Sequence, residues 1–380
     1  MLKKIIVYLR PLYKSKSVKE LYKKSFMPDS ETVLSDNEHT KNTDVEYIIL
    51  GYNSNGDIEY LLQDSSINLN SESIYIARVE NVNYKNHTAF VNFGVSTGFI
   101  NFDRIQKLQP GSMICCQTRH LSDGIKQVKL STAITYIGRY VILTEAKEHI
   151  FYCRDVQADK LQAISEKYKN IGIIFRSNIN LLNDFSLIEN EIAWLLSRQK
   201  ITDSCKLNKS SIECIHDGMP LYLKFIRDSV FTDDLQIITN DDNVFNQIAY
   251  YVDRWDLNEL NLDKNYIPKL DLDKESDVIK KVNFSLEFNK ISGINLIDIN
   301  SSNSKLPFFK VNYLALDEIV RQIKLRDLTG IILLDLIKNM SHSERQVITD
   351  RLEILMKNDW RNNKILGFTK AGIFEIIRHR

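Results

Sequence analysis

Gly293-Ile-Asn-Leu-Ile-Asp-Ile-Asn300 and, further on, Gly330-Ile-Ile-Leu-Leu-Asp-Leu-Ile337 are apolar runs, each interrupted by one aspartate. Runs of this length and β-branched content predict strands, and the second is apolar enough to be one buried in a parallel sheet. Between them Leu314–Leu328 predicts a helix, with Leu316, Ile319, Val320 and Ile323 on one face. A strand–helix–strand unit is nearly always right-handed with parallel strands, which brings Asp298 and Asp335 to the carboxyl ends where open α/β sheets bind ligands. Each carboxylate is therefore expected in, or at the mouth of, a core. An unpaired buried carboxylate costs about several kcal/mol, so something must compensate it. Asn300, two residues beyond Asp298, projects from the same strand face. Two carboxylates and an amide oxygen suit Mg²⁺, which takes few protein ligands and keeps several waters. Helix capping or a core arginine would compensate such aspartates equally well.

Downstream, Ser341 with Glu344 three residues on forms a capping box for a helix carrying Val347, Ile348, Leu352 and Leu355, and two β-like runs, Ile365–Phe368 and Ile373–Ile377, finish the chain. Upstream, residues 134–275 alternate short helical and strand-like pieces: a helix over Asp159–Tyr168, a strand over Ile171–Arg176, a helix over Leu187–Leu196, a strand over Leu221–Phe225 and a helix from about Asn243 to Val252. From Ile74 to Leu143 the pattern is β. Five short strands with glycine turns, among them Ala89–Phe93, Phe99–Ile100, Met113–Gln117 and Gln127–Ser131, fit a small closed barrel of the OB kind. Tyr47–Gly51 and Ile58–Leu62 around Asn55-Gly56 read as a hairpin. Residues 27–44 are polar and without period, a linker. Ahead of them eight lysines and arginines face a single Glu20 within the first 24 residues. We expect residues 1–44 to be a basic, partly disordered extension rather than an RNA contact or a targeting segment.

At 380 residues the chain has room for two or three compact units, and 43% hydrophobic with 26% charged residues is a globular balance. No apolar run approaches the roughly 18 residues of a membrane span. Five cysteines without a C-x-x-C pair argue against a disulfide framework and a structural zinc site, and for a reducing, cytosol-like compartment. The net charge of +1 neither requires nor excludes nucleic acid, so any basic surface must be local.

Over about residues 45–380 these stretches resemble the ribonuclease E/G family. Ile297-Asp-Ile-Asn-Ser301, Asn312 with Glu318-Ile-Val-Arg-Gln-Ile-Lys-Leu-Arg326, Gly330-Ile-Ile-Leu-Leu-Asp335 and Gly372-Ile-Phe-Glu-Ile-Ile-Arg-His-Arg380 are similar to four family motifs, in order and at matching spacing. Ile74–Val79, Ala89–Gly94 and Gly98–Ile100 resemble the family's RNA-binding barrel, and Leu130–Ile134 with Gly138–Leu143 the segment after it. The resemblance implies an α+β and α/β multidomain protein. An OB-fold (S1-type) barrel at 71–133 is inserted in an RNase H-like subdomain at 45–70 and 206–275. A 5′-end-sensing-like region at 134–205 and a DNase I-like catalytic subdomain at 276–380 follow. It implies an Mg²⁺-dependent endoribonuclease that cuts single-stranded, A/U-rich RNA in messenger and ribosomal RNA processing and decay, with preference for a 5′-monophosphate end. Asp298, Asn300 and Asp335 are then catalytic, with Asp298 and Asp335 on the metal. Phe90, Phe99, Lys126, Arg378 and Arg380 contact RNA, and Arg176 with Ser177 forms the 5′-phosphate pocket.

The sequence also departs from the family. The Cys-Pro-x-Cys zinc motif that should follow Arg380 is absent, so no zinc site and no zinc-linked tetramer are expected, and a homodimer stays open. Lys338 stands where the family has a second aspartate, Gln127 where it has a glycine, and residues 289–294 lack its Thr-Glu-Ala-Leu segment. A catalytically degenerate RNA-binding protein of the same fold is the alternative. The expected compartment is the cytoplasm, with an organelle stroma such as a plastid's as the alternative.

Overall fold

The computed structural model describes residues 1–11, 45–65, 69–103, 108–121, 127–145, 149–153, 155–182, 184–207, 210–257, 259–268, 277–291 and 293–379. Four sheets organise the described residues. The first is five-stranded, in the spatial order Glu259–Leu262, Phe231–Thr239, Leu2–Pro11, Val45–Asn53, Ile58–Ser65. Its central strand corrects the expectation for the N-terminus. Leu2–Pro11 pairs parallel with Phe231–Thr239 and antiparallel with Val45–Asn53, and Leu2, Ile5, Ile6 and Val7 are buried. Lysines at 3 and 4 masked a strand whose apolar side chains fill two cores, because a charge count ignores which face each residue takes. The linker expected at 27–44 lies outside the described residues.

The second unit is a closed barrel. Ile74–Asn83, Thr88–Asn92, Thr97–Asn101, Val128–Ser131 and Met113–His120 pair in that order, and the last returns to the first, consistent with an OB fold. Gly98 permits closure: a Cβ there would stand 2.6 Å from the carbonyl oxygen of Val128. Alternation puts Ala89, Val91, Gly98 and Ile100 inside and leaves the other face of these strands to solvent. Glu213–His216 extends this sheet by pairing with Ile74–Asn83.

A third, four-stranded sheet (Ile150–Tyr152, Gly172–Phe175, Val141–Thr144, Thr135–Ile137) packs on the helix Ser186–Leu207. Glu191 from that helix accepts the backbone N–H groups of Arg139 (2.7 Å), Tyr140 (2.7 Å) and Val141 (3.0 Å). Burial pushes its carboxyl above the ordinary value, and the three donors pull it back only in part. Gly138 is needed beside it, since a Cβ there would meet the carboxyl carbon at 2.3 Å. Glu191→Gln keeps the size but turns an NH₂ toward those donors. A loss of about 1–3 kcal/mol in urea-unfolding stability is expected; an unchanged midpoint would contradict it.

Leu221–Asp228, expected as a strand, is a helix with Pro220 at its N-cap. Lys224, Arg227 and Asp228 form its polar face at helical spacing, but the window Leu221–Phe225 holds only the first of them among apolar residues and so reads as a strand. In the fold that face is taken up by contacts with Ser71 and Glu72.

The C-terminal sheet has the order Val278–Lys280, Ser285–Ile291, Ile294–Asn300, Gly330–Asp335, Phe374–Arg378, Asn363–Phe368. Ile294–Asn300 and Gly330–Asp335 are parallel neighbours. The helices Phe308–Leu325 and His342–Met356 cover one face, burying Ile297, Ile299, Ile332 and Leu334 against Leu316, Ile319, Ile323 and Leu352. The capping box at Ser341 is formed: its side chain accepts from Glu344 N–H, and Glu344 Oε2 accepts from Ser341 N–H at 2.7 Å.

Candidate metal centre and nucleic-acid interface

Asp298 and Asp335 are direct register partners at the carboxyl ends of their parallel strands. Residues so paired point to the same face about 4.8 Å apart. That face is the one turned away from the helices: both aspartates are half-buried, between the buried Ile297 and Ile299 on one strand and after the buried Leu334 on the other. Of the two placements expected, inside a core or at its mouth, the first is ruled out. The strands look wholly apolar because Leu296, Ile331 and Leu333 also lie on the open face, where Ile294 and Ile331 remain 38% and 39% exposed.

Asn300 Nδ2 donates to Asp298 Oδ2 at 2.8 Å, which leaves its amide oxygen and three carboxylate oxygens for other partners. No lysine or arginine among the described residues makes an ion pair with either aspartate. Two unneutralised carboxylates on adjacent strands repel, and a cation between them relieves that repulsion. The donor set fits Mg²⁺, since it is all oxygen and supplies few ligands. The described residues contain no cluster of three His, Cys, Asp or Glu side chains able to hold a metal.

Two supporting features come from the structure. The first is the contact made by Asn312, a residue of the family-like motif, buried in the crossover helix. Its Oδ1 accepts from Ile337 N–H at 3.0 Å and its Nδ2 donates to Ile337 O at 2.9 Å, which pins the chain just beyond Asp335. The second is Glu287, the register partner of Asp298 on its other side, exposed and hydrogen-bonded by Asn289. Only strand pairing reveals it.

Phe90 and Phe99 are likewise register partners, on the outer face of the barrel; Phe90 is 38% exposed and Phe99 half-buried. Rings placed so are of the kind on which unpaired bases can stack. Of the other residues expected to contact RNA, Lys126 and Arg380 lie outside the described residues. Arg378 does not face solvent. It is fully buried, its Nε and Nη2 donating to Asp359 at 2.6 and 2.9 Å and its Nη1 to Asp327 at 2.8 Å. Alternation along Phe374–Arg378 sends it into the protein with Phe374 and Ile376.

Arg176 and Ser177 follow the strand Gly172–Phe175, as expected from sequence. Ser177 is exposed, but the Arg176 fork is committed within the protein: Nη2 pairs with Asp228 Oδ1 at 2.7 Å and Nη1 donates to Gly138 O. Arg227 shares Asp228 and also pairs with Glu72. Burial works against ionising Asp228, yet Arg176 and Arg227 outweigh it and hold the carboxyl well below its ordinary value. As placed, Arg176 is a lattice member between the barrel, the third sheet and the helix Leu221–Asp228, not an open phosphate fork.

No helix among the described residues is long and apolar enough to cross a membrane. Residues 135–380 match the model of the ribonuclease E/G family. The chain is 21% identical over 353 residues to a ribonuclease E/G-like protein of Pyropia yezoensis, covering 81% of this chain and 68% of that one. It is 20% identical to ribonuclease E of Synechocystis sp. (81% and 52% covered) and 20% to that of Escherichia coli (81% and 33%), so it spans about half or less of these two. With the paired aspartates, the barrel and more than half of the chain matched, this protein belongs to the ribonuclease E/G family.

Proposed function

We propose that this chain is an endoribonuclease that cuts single-stranded RNA at a Mg²⁺ site held by Asp298 and Asp335. The observation that carries it is their direct pairing in register on an open sheet face, without a basic partner among the described residues. Bound between them, Mg²⁺ supplies polarisation of a phosphoryl oxygen and activation of a water. The chain's own part is positional. Strand pairing sets the separation of the carboxylates, Asn300 orients Asp298, and Asn312 holds the segment after Asp335. The exposed Phe90–Phe99 pair supports single-stranded RNA as substrate, because ring stacking tolerates many sequences and needs unpaired bases. The order of the first sheet, three antiparallel strands continued by two parallel to the central one, supports an RNase H-like subdomain around the barrel.

The test is incubation of the purified protein with a 5′-monophosphorylated, A/U-rich single-stranded RNA, with Mg²⁺ and with EDTA. Internal cleavage that needs Mg²⁺ is expected. Intact RNA in every lane, with a mobility shift still visible, would replace the nuclease with a degenerate RNA-binding protein.

A further inference from the structure

The barrel's outer face carries more order than its two aromatic rings. Phe90 pairs in register with Asn81 on one side and Phe99 on the other, and Phe99 pairs in turn with Lys129. Asn81, Phe90, Phe99 and Lys129 thus form one row across four neighbouring strands, three strand spacings long, or roughly 14 Å. Asn81 is exposed and Lys129 half-buried, both on the solvent side.

The polar groups around the row divide into two kinds. Asn92 Nδ2 donates to Glu80 and its Oδ1 accepts from Gly94 N–H, and Asn101 accepts from Thr88. These side chains are occupied in holding the strands. Asn81 and Lys129 make no side-chain hydrogen bond or ion pair among the described residues. An ammonium held half-buried beside an aromatic ring without a carboxylate is suited to an anion brought from outside. An amide at the opposite end offers both a donor and an acceptor to a base edge.

We propose that this row is a single-strand RNA track in which Lys129 binds a backbone phosphate, Phe90 and Phe99 stack on bases, and Asn81 reads the edge of a base at the far end. The proposal rests on the barrel's binding of single-stranded RNA and adds a polarity to it: phosphate contact at the Val128–Ser131 strand, base reading at the Ile74–Asn83 strand.

The experiment is fluorescence anisotropy of the full chain with 5′-hydroxyl oligo-A and oligo-U in EDTA, over a range of salt concentrations. Lys129→Ala should weaken binding about five-fold at low salt and lower the slope of log affinity against log salt by about 0.7, one phosphate's share on a single strand. Lys129→Arg should restore both. Asn81→Ala should leave the slope unchanged and reduce any difference between oligo-A and oligo-U by about three-fold, since an asparagine amide matches adenine's donor and acceptor. Phe90→Ala, the control for the underlying reading, should weaken binding about ten-fold. If Phe90→Ala weakens binding while Lys129→Ala changes neither affinity nor slope, the track is wrong and the barrel's RNA binding stands. If wild type and Phe90→Ala bind alike, or neither binds, the barrel reading fails and the track with it. Melting curves of all variants, superimposable with wild type, exclude misfolding as the cause.

Discussion

Asp298→Asn, and equally Asp335→Asn, should lower Mg²⁺-dependent cleavage of single-stranded RNA by about 100-fold or more while changing RNA affinity in EDTA less than two- to three-fold. The reasoning is electrostatic. Each substitution removes one charge of the aspartate pair and leaves the strand, its register and the apolar layer beneath it as they are. A divalent cation held by two carboxylates and an amide loses half of its protein charge compensation, and the several kcal/mol that a metal contributes to phosphoryl chemistry go with it. The neutral variants should also be slightly more stable than wild type without metal, because the carboxylate repulsion is gone. Isothermal titration with Mg²⁺ and a cleavage time course read both effects. Wild-type cleavage rates in both variants would sink the assignment, and loss of RNA binding together with cleavage would show a folding defect instead.

The second large effect is structural. Arg378→Met should cost about 3–5 kcal/mol, because it leaves the Asp359 carboxylate, itself without exposure, unpaired in the interior. The pH dependence gives a sign to check. Burial raises the Asp327 carboxyl, but Arg361 and Arg378 lower it further, so its folded pKa lies below its unfolded one. Stability from this cluster is therefore present above about pH 4, the unfolded value, and is lost as pH falls through the depressed folded value. Arg378→Met removes one of the two cations that lower the Asp327 carboxyl. The gap between variant and wild type should be largest near neutrality and should shrink below about pH 4. Urea midpoints at several pH values measure it. A gap of under 1 kcal/mol at pH 7 would contradict the buried-clamp description and reopen Arg378 as a surface residue.

The contrast between Arg378 and Phe90 shows where sequence reasoning holds. The barrel was legible because its strands alternate: Ala89, Val91, Gly98 and Ile100 inside, Phe90 and Phe99 outside, with glycine turns between. The crossover unit was legible because a helical period stands between two strand-like runs, and the capping box at Ser341 because its spacing is local. Arg378, expected on RNA from the family resemblance, failed as a surface residue because alternation and two distant acids, Asp327 and Asp359, take the guanidinium inside. Arg176 failed for the same reason, its partner Asp228 arriving from another element. Leu2–Pro11 was missed because its neighbour in the sheet, Phe231–Thr239, lies more than two hundred residues away.

By itself, then, the sequence determined the periodicities, the closed barrel, the strand–helix–strand unit and the pair of aspartates at strand ends, since each follows from residues within a few turns or one crossover of each other. Only the tertiary structure decided the rest. It set which sheet face the aspartates occupy, which arginines are clamped rather than offered, and that Asn81 and Lys129 align with the two phenylalanines. Those outcomes depend on strand register and on charges brought together across long stretches of chain, and a spacing in sequence carries no record of either.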